Sequence, residues 1–593
     1  MESRLTTANV VVLPSQNGMG RFESCQNIVR QFVDVPVSYL FQILTFTKLN
    51  TLRMNRLFTS TLLLLLIASS TFSQSQLERP KLVVGLMLDQ MRWDYLYRYY
   101  NRYSEQGGFK RLLKEGNTCE NTLIPYTPSV TACGHSVVYT GSAPAITGIT
   151  GNAWWDKDQN RTVYCTEDKN AATVGSSSSQ GKMSPRNMLV TSIADELRLA
   201  TNFKSKVIGI AIKDRGAILP AGHSANAAYW YDNSVGKWIT STYYMTSLPN
   251  WVNTFNELKL PDQYYKAGWS LLYDSSTYTQ STTDQKSYEA KPFGEGFPYD
   301  LQKFIGRDYG KLNTTYFGNE LTFEFAKSAL ENEKLGEDPI TDLLAVSFSS
   351  PDYIGHSFGP NSIEAEDAML RFDLALGKFM DLLDQKVGKS QYTIFLTADH
   401  GAAHIPEFMQ ENKLPGGRLF TSKLMDRLNI SLEKIYKINK IILSDDNYQY
   451  HLNLQKLDSA GIAVNEVATW LKKECAMEPG IDRVFTLDET NIIPLPETIR
   501  KAINLGYHPR RSGEVQLILK PGYIDASGNT GTTHGLWNPY DTHIPLLWYG
   551  WGIRKGKTLR EASMSDIAPT LASLLRVQMP SGNIGTAISE VIK

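Results

Sequence analysis

Five short apolar runs punctuate the chain, and each opens onto or follows a polar, motif-like cluster: Lys81 to Leu88, Lys206 to Ile212, Asp342 to Phe348, Tyr392 to Thr397 and Ile544 to Tyr549. Runs that stay apolar at every position, instead of alternating, suit strands covered on both faces. Between the third and fourth runs, Ile363, Met369, Leu370, Phe372, Leu376, Phe379, Met380 and Leu383 recur at helical spacing behind an Asn361/Glu364 capping box. Strand, helix, strand predicts an α/β fold with a doubly wound, mostly parallel sheet. In such sheets ligands collect beyond the carboxyl ends of the strands, which is where the polar clusters of this sequence fall.

Two long stretches break the alternation. Residues 225–309 are rich in Tyr, Trp, Ser, Thr and Asn with weak periodicity, and residues 404–529 mix helical and strand-like segments around an amphipathic helix at Val464 to Glu474. Both read as insertions over the ligand edge of the sheet, the second large enough for a cap subdomain. The serine run Ser176 to Ser179 reads as a mobile surface loop. No internal repeat is visible.

The apolar run Leu62 to Ala68 follows Met54-Asn55-Arg56 and precedes the small polar stretch Ser69 to Ser73. A basic start, a short apolar core and small residues at the exit are the order of a signal peptide, and the core is shorter than the roughly 20 residues of a membrane span. Residues 54–73 are therefore expected to be a signal peptide and residues 1–53 an extension from a misplaced start codon, with the catalytic region at 81–593. A buried strand, or a single anchor with the preceding residues cytoplasmic, would account for the same run. Export from Met54 would leave a mature chain from near Gln74, periplasmic or secreted and without a stable membrane span. That compartment permits disulfides among Cys119, Cys133, Cys165 and Cys475, although sequence cannot pair them.

Composition narrows the function classes. Hydrophobic residues at 42%, charged at 20% and aromatic at 11% are globular values that exclude disordered, collagenous and coiled-coil chains. Sixty basic residues balance sixty acidic ones, so the surface lacks the net positive charge by which nucleic-acid binders neutralise phosphates. The five cysteines form no C-x-x-C pair of a structural zinc site.

The chemistry sits in the clusters. Asp89 follows the first strand, Asp352 and His356 follow the third, Asp399 and His400 follow the fourth, and His534 precedes the last. Carboxylate oxygen and neutral imidazole nitrogen are donors that zinc accepts, and three protein ligands with an open position is the catalytic pattern. Three Asp and three His make two such sets. Singly, each is more often a turn cap or a core histidine; all six at the ligand edge of one sheet point to a two-metal site. Thr131, in Pro125 to Ser136, stands where a turn runs into a helix, so that it is either a helix cap or a hydroxyl facing an anion. Lys213 and Arg215, after the second strand, share a direction if the chain is extended there, two cations suited to a dianionic group.

With these residues in order, the chain from about Lys81 onward resembles the alkaline phosphatase superfamily, and within it the PafA-type bacterial alkaline phosphatases, whose nucleophile is threonine. The resemblance implies two zinc ions, one held by Asp89, Asp399, His400 and Thr131 and the other by Asp352, His356 and His534. It implies that Asn152 donates to a substrate oxygen and that Lys213 and Arg215 grip the remaining phosphoryl oxygens. The expected activity is hydrolysis of phosphate monoesters of small molecules through a phosphothreonine, by a monomer without a specific nucleic-acid partner. The C-x-P-x-R pattern of sulfatases is absent, since Gly134, His135, Ser136 and Val137 follow Cys133, which is expected to pack. A nucleotide pyrophosphatase or phosphodiesterase of the same superfamily is the nearest alternative, and a non-catalytic exported binding protein is the alternative from another class.

Overall fold

The computed structural model describes residues 77–593, so the expected signal peptide at 54–73, the stretch 1–53 and Cys25 lie outside the described residues. Eleven strands form one sheet: β1 (Leu82–Leu88), β2 (Asn117–Leu123), β3 (Thr173–Val174), β4 (Val207–Ala211), β5 (Ala227–Asp232), β6 (Lys237–Ser241), β7 (Asp342–Phe348), β8 (Tyr392–Thr397), β9 (His543–Ile544), β10 (Leu546–Gly550) and β11 (Gly556–Ser563). Their order is β9-β2-β10-β8-β1-β7-β4-β5-β6-β3, with β11 paired to β2. The centre, β8-β1-β7-β4-β5, is parallel throughout. All five central strands are buried along their whole length, as the apolar runs of β1, β4, β7 and β8 require. Beyond β8 the direction reverses, because β10 pairs antiparallel with it. The last apolar run is not one strand: Pro545, which has no N–H to offer a ladder, separates β9 from β10.

Four helices matter for the site: α1 (Thr131–Thr140), α2 (Asp214–Ala221), α3 (Ser350–Phe358) and α4 (Ile363–Leu383). α4 buries Met369, Phe372, Leu376, Phe379, Met380 and Leu383, the predicted stripe. Its cap differs from the expected Asn361/Glu364 box. Ser362 is the N-cap, its hydroxyl accepting from the Ala365 N–H at 3.2 Å, while the Asn361 side-chain oxygen is engaged by His404 Nδ1 at 2.6 Å and the Glu364 carboxylate by the Tyr299 hydroxyl at 2.5 Å.

The first expected insertion needs correction, since residues 225–309 open with β5 and β6 of the central sheet. The Trp and Tyr residues that hid this periodicity are core: Tyr229, Trp230, Tyr231 and Trp238 are buried, and Trp238 stacks on Phe325 with ring centroids 4.2 Å apart. The segment 404–529 does carry its own four-stranded antiparallel sheet, ordered Ile442–Ser444, Gln449–Leu452, Val515–Leu519, Ile481–Thr486. Helices Thr421–Tyr436 and Val464–Cys475 pack Leu424, Leu428, Leu432, Val467 and Leu471 into a core of their own with Tyr450 and Val515. The serine run is also pinned: the Ser176 and Ser178 hydroxyls each donate to Asp232 at 2.6 Å. Cys119, Cys133, Cys165 and Cys475 are buried free thiols, so the disulfides that export would allow are not formed here.

At Gly85, mid-way along β1, a side chain of α1 presses on the sheet. A Cβ there would lie 2.2 Å from the Tyr139 hydroxyl and 2.6 Å from Phe395 Cζ. Tyr139 belongs to the helix that begins with Thr131, so overpacking here would disturb the helix carrying that residue. Overpacking of a dense core costs about 1–3 kcal/mol. Gly85→Ala is accordingly expected to lower the melting midpoint by about 1–3 °C in scanning calorimetry. An unchanged midpoint would show that α1 does not bear on β1 in this way.

Candidate active site

The site lies beyond the carboxyl ends of the central strands. Asp89 stands one residue past β1, Lys213 two past β4, and Asp399 and His400 two and three past β8. β7 runs through Ser349 into α3, and there Asp352 and His356 fall one turn apart on the same face. His534 arrives on the loop before β9, and Thr131 is the first residue of α1. Asp89, Thr131, Lys213, Asp352, Asp399 and His400 are all buried.

The structure brings the six Asp and His residues among the seven expected ligands together. His356 Nε2 is 3.1 Å and His534 Nε2 3.5 Å from Asp352 Oδ1, while His400 Nε2 is 3.5 Å from Asp89 Oδ1 and 3.4 Å from Asp399 Oδ2. The His400 and His534 rings stack with centroids 3.4 Å apart, so the two sets adjoin. Two groups offer donor atoms within 4.8 Å of one another: Asp352 with His356 and His534, and Asp89 with Asp352 and His400. Asp352 thus lies between the sets. The outer nitrogens of all three rings are taken by backbone carbonyls: His356 Nδ1 by Thr532 at 2.8 Å, His534 Nδ1 by Ser129 at 2.8 Å and His400 Nδ1 by Gly401 at 3.0 Å. A carbonyl accepts only, so each Nδ1 carries a proton and each Nε2 is turned toward the site; burial opposes charge on the His356 ring, but Asp352, 3.1 Å from its Nε2, holds it above its usual range.

Charge is the central problem of this cluster. Three carboxylates converge out of water, and Lys213 Nζ answers two of them, at 2.6 Å from both Asp89 Oδ2 and Asp352 Oδ2. Burial and the neighbouring Asp399 push the Asp89 carboxyl well above its usual range. For Asp352 burial acts the same way but loses to His356 and Lys213, which hold it well below. Burial lowers both His400 and His534, the latter also through His400, so both favour the neutral form that binds metal. Burial likewise opposes the Lys213 charge, but Asp352 and Asp89 outweigh it and keep the ammonium. Asp352 is answered by Lys213 and His356, whereas Asp89 has Lys213 alone, so the Asp89 and Asp399 side has room for further positive charge. Asp89 Oδ1, Asp399 Oδ2 and His400 Nε2 are buried without a hydrogen-bond partner, and they belong to one expected ligand set. Unpaired buried acceptors cost roughly 1–3 kcal/mol each, and a divalent cation with mixed oxygen and nitrogen preference would satisfy all three. The residues present fit zinc.

The remaining expected residues sit around this core. Thr131 Oγ1 is 3.5 Å from Lys213 Nζ. Asn152 lies beside it, its side-chain oxygen accepting from the Ala132 N–H at 2.9 Å and so capping α1. Lys213 and Arg215 do not form the extended pair that would give them one direction. Lys213 is the N-cap of α2 and Arg215 its second residue, with Nη1 donating to the Tyr164 hydroxyl at 3.0 Å and Nε buried without a partner. Cys133 packs, its thiol donating to the Ile149 carbonyl at 3.1 Å.

Three contributors escaped the sequence reading. Gln90, in the left-handed region at φ 67°, donates from Nε2 to Asp352 Oδ1 at 2.6 Å and from its backbone to Asp399 Oδ1 at 3.0 Å. Its position directly after Asp89 was the available signal. His135 Nδ1 bonds the Thr131 carbonyl at 2.8 Å and Nε2 the Ser347 hydroxyl at 2.7 Å, and its spacing of four from Thr131 on a helix was another. Tyr164, which donates to Asp214 at 2.9 Å while accepting from Arg215, gave no signal in sequence.

The sequence model of the type I phosphodiesterase / nucleotide pyrophosphatase family matches residues 83–542. The alkaline phosphatase PhoV of Synechococcus elongatus is 49% identical over 538 residues, which cover 89% of this chain and 95% of that protein. A Myroides odoratus protein named calcium-transporting ATPase is 50% identical across 88% of this chain and 97% of its own. The alkaline phosphatase PafA of Elizabethkingia meningoseptica is 47% identical across 87% of this chain and 95% of its own. A crystal structure of wild-type PafA superposes with a TM-score of 0.86 at 46% identity, covering 88% of this chain and all of that one.

His356→Ala and His400→Ala each remove one of the converging ring nitrogens. After zinc loading and desalting, each variant is expected to retain at least one metal ion fewer per chain than the parent, measured by plasma mass spectrometry. Parental metal content in either variant would remove that histidine from the ligand set.

Proposed function

The chain belongs to the type I phosphodiesterase / nucleotide pyrophosphatase family, within the alkaline phosphatase superfamily, and from that membership we propose that it is an exported, monomeric alkaline phosphatase. Its substrates are phosphate monoesters of small molecules, cut through a phosphothreonine at Thr131. The observation that carries the reading is the convergence of Thr131 Oγ1, the Lys213 ammonium and the unpartnered atoms of Asp89, Asp399 and His400 on one buried site.

Two zinc ions are the proposed cofactors, held by Asp89, Asp399, His400 and Thr131 and by Asp352, His356 and His534; they would favour the ionised threonine and take up charge on the leaving oxygen. Thr131 gives up its hydroxyl proton to solvent, where it neutralises the hydroxide left when the alkoxide is protonated, and its Oγ1 attacks phosphorus in line with the ester oxygen. The Oγ1–P bond forms as the bond to the alcohol breaks, and the leaving alkoxide departs with the electron pair and takes a proton from water. Water then cleaves the phosphothreonine, returning the threonine hydroxyl and inorganic phosphate. His135 fixes the Thr131 carbonyl and Asn152 the next N–H, so the nucleophile is held on both sides. Lys213, Arg215 and Asn152 would hold the nonbridging oxygens, where charge develops in a loose transition state.

Diester hydrolysis is the alternative that the family also covers. Lys213 and Arg215 favour the monoester, because a diester lacks the further anionic oxygen that two cations would hold. For the leader, the order Arg56, Leu62 to Ala68, Ser69 to Ser73 supports a start at Met54. Among the described residues no helix is long and apolar enough to cross a membrane.

Lys213→Ala with Arg215→Ala is expected to reduce kcat/KM for an aryl phosphate far more than for its methyl diester. Each charge-assisted contact contributes about 2–4 kcal/mol in the transition state, or about thirty- to a thousand-fold in rate. Thr131→Ala should cripple both reactions. A monoester-to-diester ratio within about threefold of the parent, a shift under about 1 kcal/mol, would hand the function to the diesterase reading. Amino-terminal sequencing of protein recovered from outside the cytoplasm should begin close to Gln74, and any mature chain retaining residues 1–50 would refute the leader.

A further inference from the structure

The cap meets the loops around the site at several points, among them the Ala502 carbonyl, which accepts from the Thr127 N–H at 3.1 Å, and at one of them the backbone is strained. Asn447 and Tyr448, at the turn between the cap strands Ile442–Ser444 and Gln449–Leu452, are consecutive non-glycine residues in the left-handed region, at φ 62° and 61°. Each such residue costs of order 1–3 kcal/mol and persists only where its surroundings hold it. Here the surroundings are tight. Tyr448 is 9% exposed, and its carbonyl accepts from Gln516 Nε2 at 3.0 Å. Ahead of the pair, the Ser444 hydroxyl bonds the Asp446 carboxylate at 2.5 Å and accepts from the Asp446 N–H at 3.0 Å.

Both side chains of the strained pair leave the cap and reach site loops. The Asn447 amide lies over Gly151, where a Cβ would meet its Nδ2 and Oδ1 at 2.6 Å, and Nδ2 donates to the Ala153 carbonyl at 3.3 Å. The residue between those two contacts is Asn152, whose side-chain oxygen holds the Ala132 N–H at the start of α1. On the other side, the Tyr448 ring lies against Gly535, where a Cβ would stand 3.2 Å from Cε2, and its hydroxyl is 3.5 Å from the His534 carbonyl. Gly535 in turn accepts from the Ser129 N–H at 3.2 Å and the Thr127 hydroxyl at 3.2 Å. The cap tip therefore bears on two loops that brace the chain on either side of Thr131.

We propose that Asn447 is a positioning residue for phosphoryl transfer, holding Asn152 at the nucleophile from the cap, with Tyr448 as the anchor that fixes its strained backbone. The inference rests on the monoesterase reading and on Asn152 as a substrate-oxygen donor. An amide on an otherwise unfavourable backbone, packed on a glycine next to that donor, is a costly arrangement for a residue serving only the cap.

Asn447→Gly separates the two roles, because glycine takes φ 62° freely and removes only the amide. The zinc-loaded full-length protein should keep its melting midpoint and metal content. Its kcat/KM for an aryl phosphate should fall about tenfold, mainly through kcat, a loss in keeping with a small displacement of a positioned group. Asn447→Asp, which tolerates the same backbone but cannot donate to the Ala153 carbonyl, should lose activity in the same direction. The decisive measurement is the cycle with Asn152→Ala. In that background Asn447→Gly should change kcat/KM by less than about twofold, because the group it positions is gone. If Asn447→Gly alone leaves activity within twofold of the parent, or if its loss multiplies in full with that of Asn152→Ala, the proposal is overturned. Failure of the underlying reading looks different: an inactive parent, or an Asn152→Ala variant as active as the parent.

Discussion

Everything at the ligand edge of this sheet depends on one electrostatic constraint, the gathering of Asp89, Asp352 and Asp399 out of water within reach of one another. Like charges so placed cannot all stay ionised unless positive charge is supplied. Lys213 supplies part of it through ion pairs to two of the three, and the unpartnered atoms of Asp89, Asp399 and His400 mark where more is accepted. Much of the neighbouring structure answers this demand. Gln90 spends a left-handed backbone to donate to Asp352 and Asp399, and three histidines give their outer nitrogens to carbonyls so that the inner ones face the site.

The segment around Thr131 is held from many sides, as the proposed attack of its hydroxyl would require. A hydroxyl must meet phosphorus in line, and a small misplacement is expensive in rate. His135, Asn152, Ser129 and Thr127 tie the residues around Thr131 to the sheet, to the turn at 151–153 and to the loop bearing His534. The cap adds the outermost layer of this support. It has its own hydrophobic core, yet its turn at Asn447 and Tyr448 reaches the loops that carry Asn152 and His534, so the insertion is joined to the site it covers.

What the sequence determined by itself were the features governed by short-range periodicity and by residue type. The central strands at β1, β4, β7 and β8 were legible because strands covered on both faces must be apolar throughout. α4 was legible because one stripe of a helix must face the core. The convergence of the six Asp and His residues and Thr131 on one buried site could be anticipated because the carboxyl ends of parallel strands are where such a fold gathers its polar clusters.

Tertiary structure decided what depends on partners distant in the chain. β5 and β6 looked like an insertion because their Trp and Tyr residues, buried against Phe325 and its neighbours, carry no clean alternation. The cap of α4 moved to Ser362 because Asn361 and Glu364 are engaged by His404 and Tyr299 from other segments. The roles of Gln90, Tyr164 and Asn447 were hidden for the same reason: each acts by a hydrogen bond across dozens or hundreds of residues, to Asp352, Asp214 or Ala153. Spacing along a chain reports the face a residue occupies, whereas a buried polar contact is set by which loops the closed sheet brings within about 3 Å of each other.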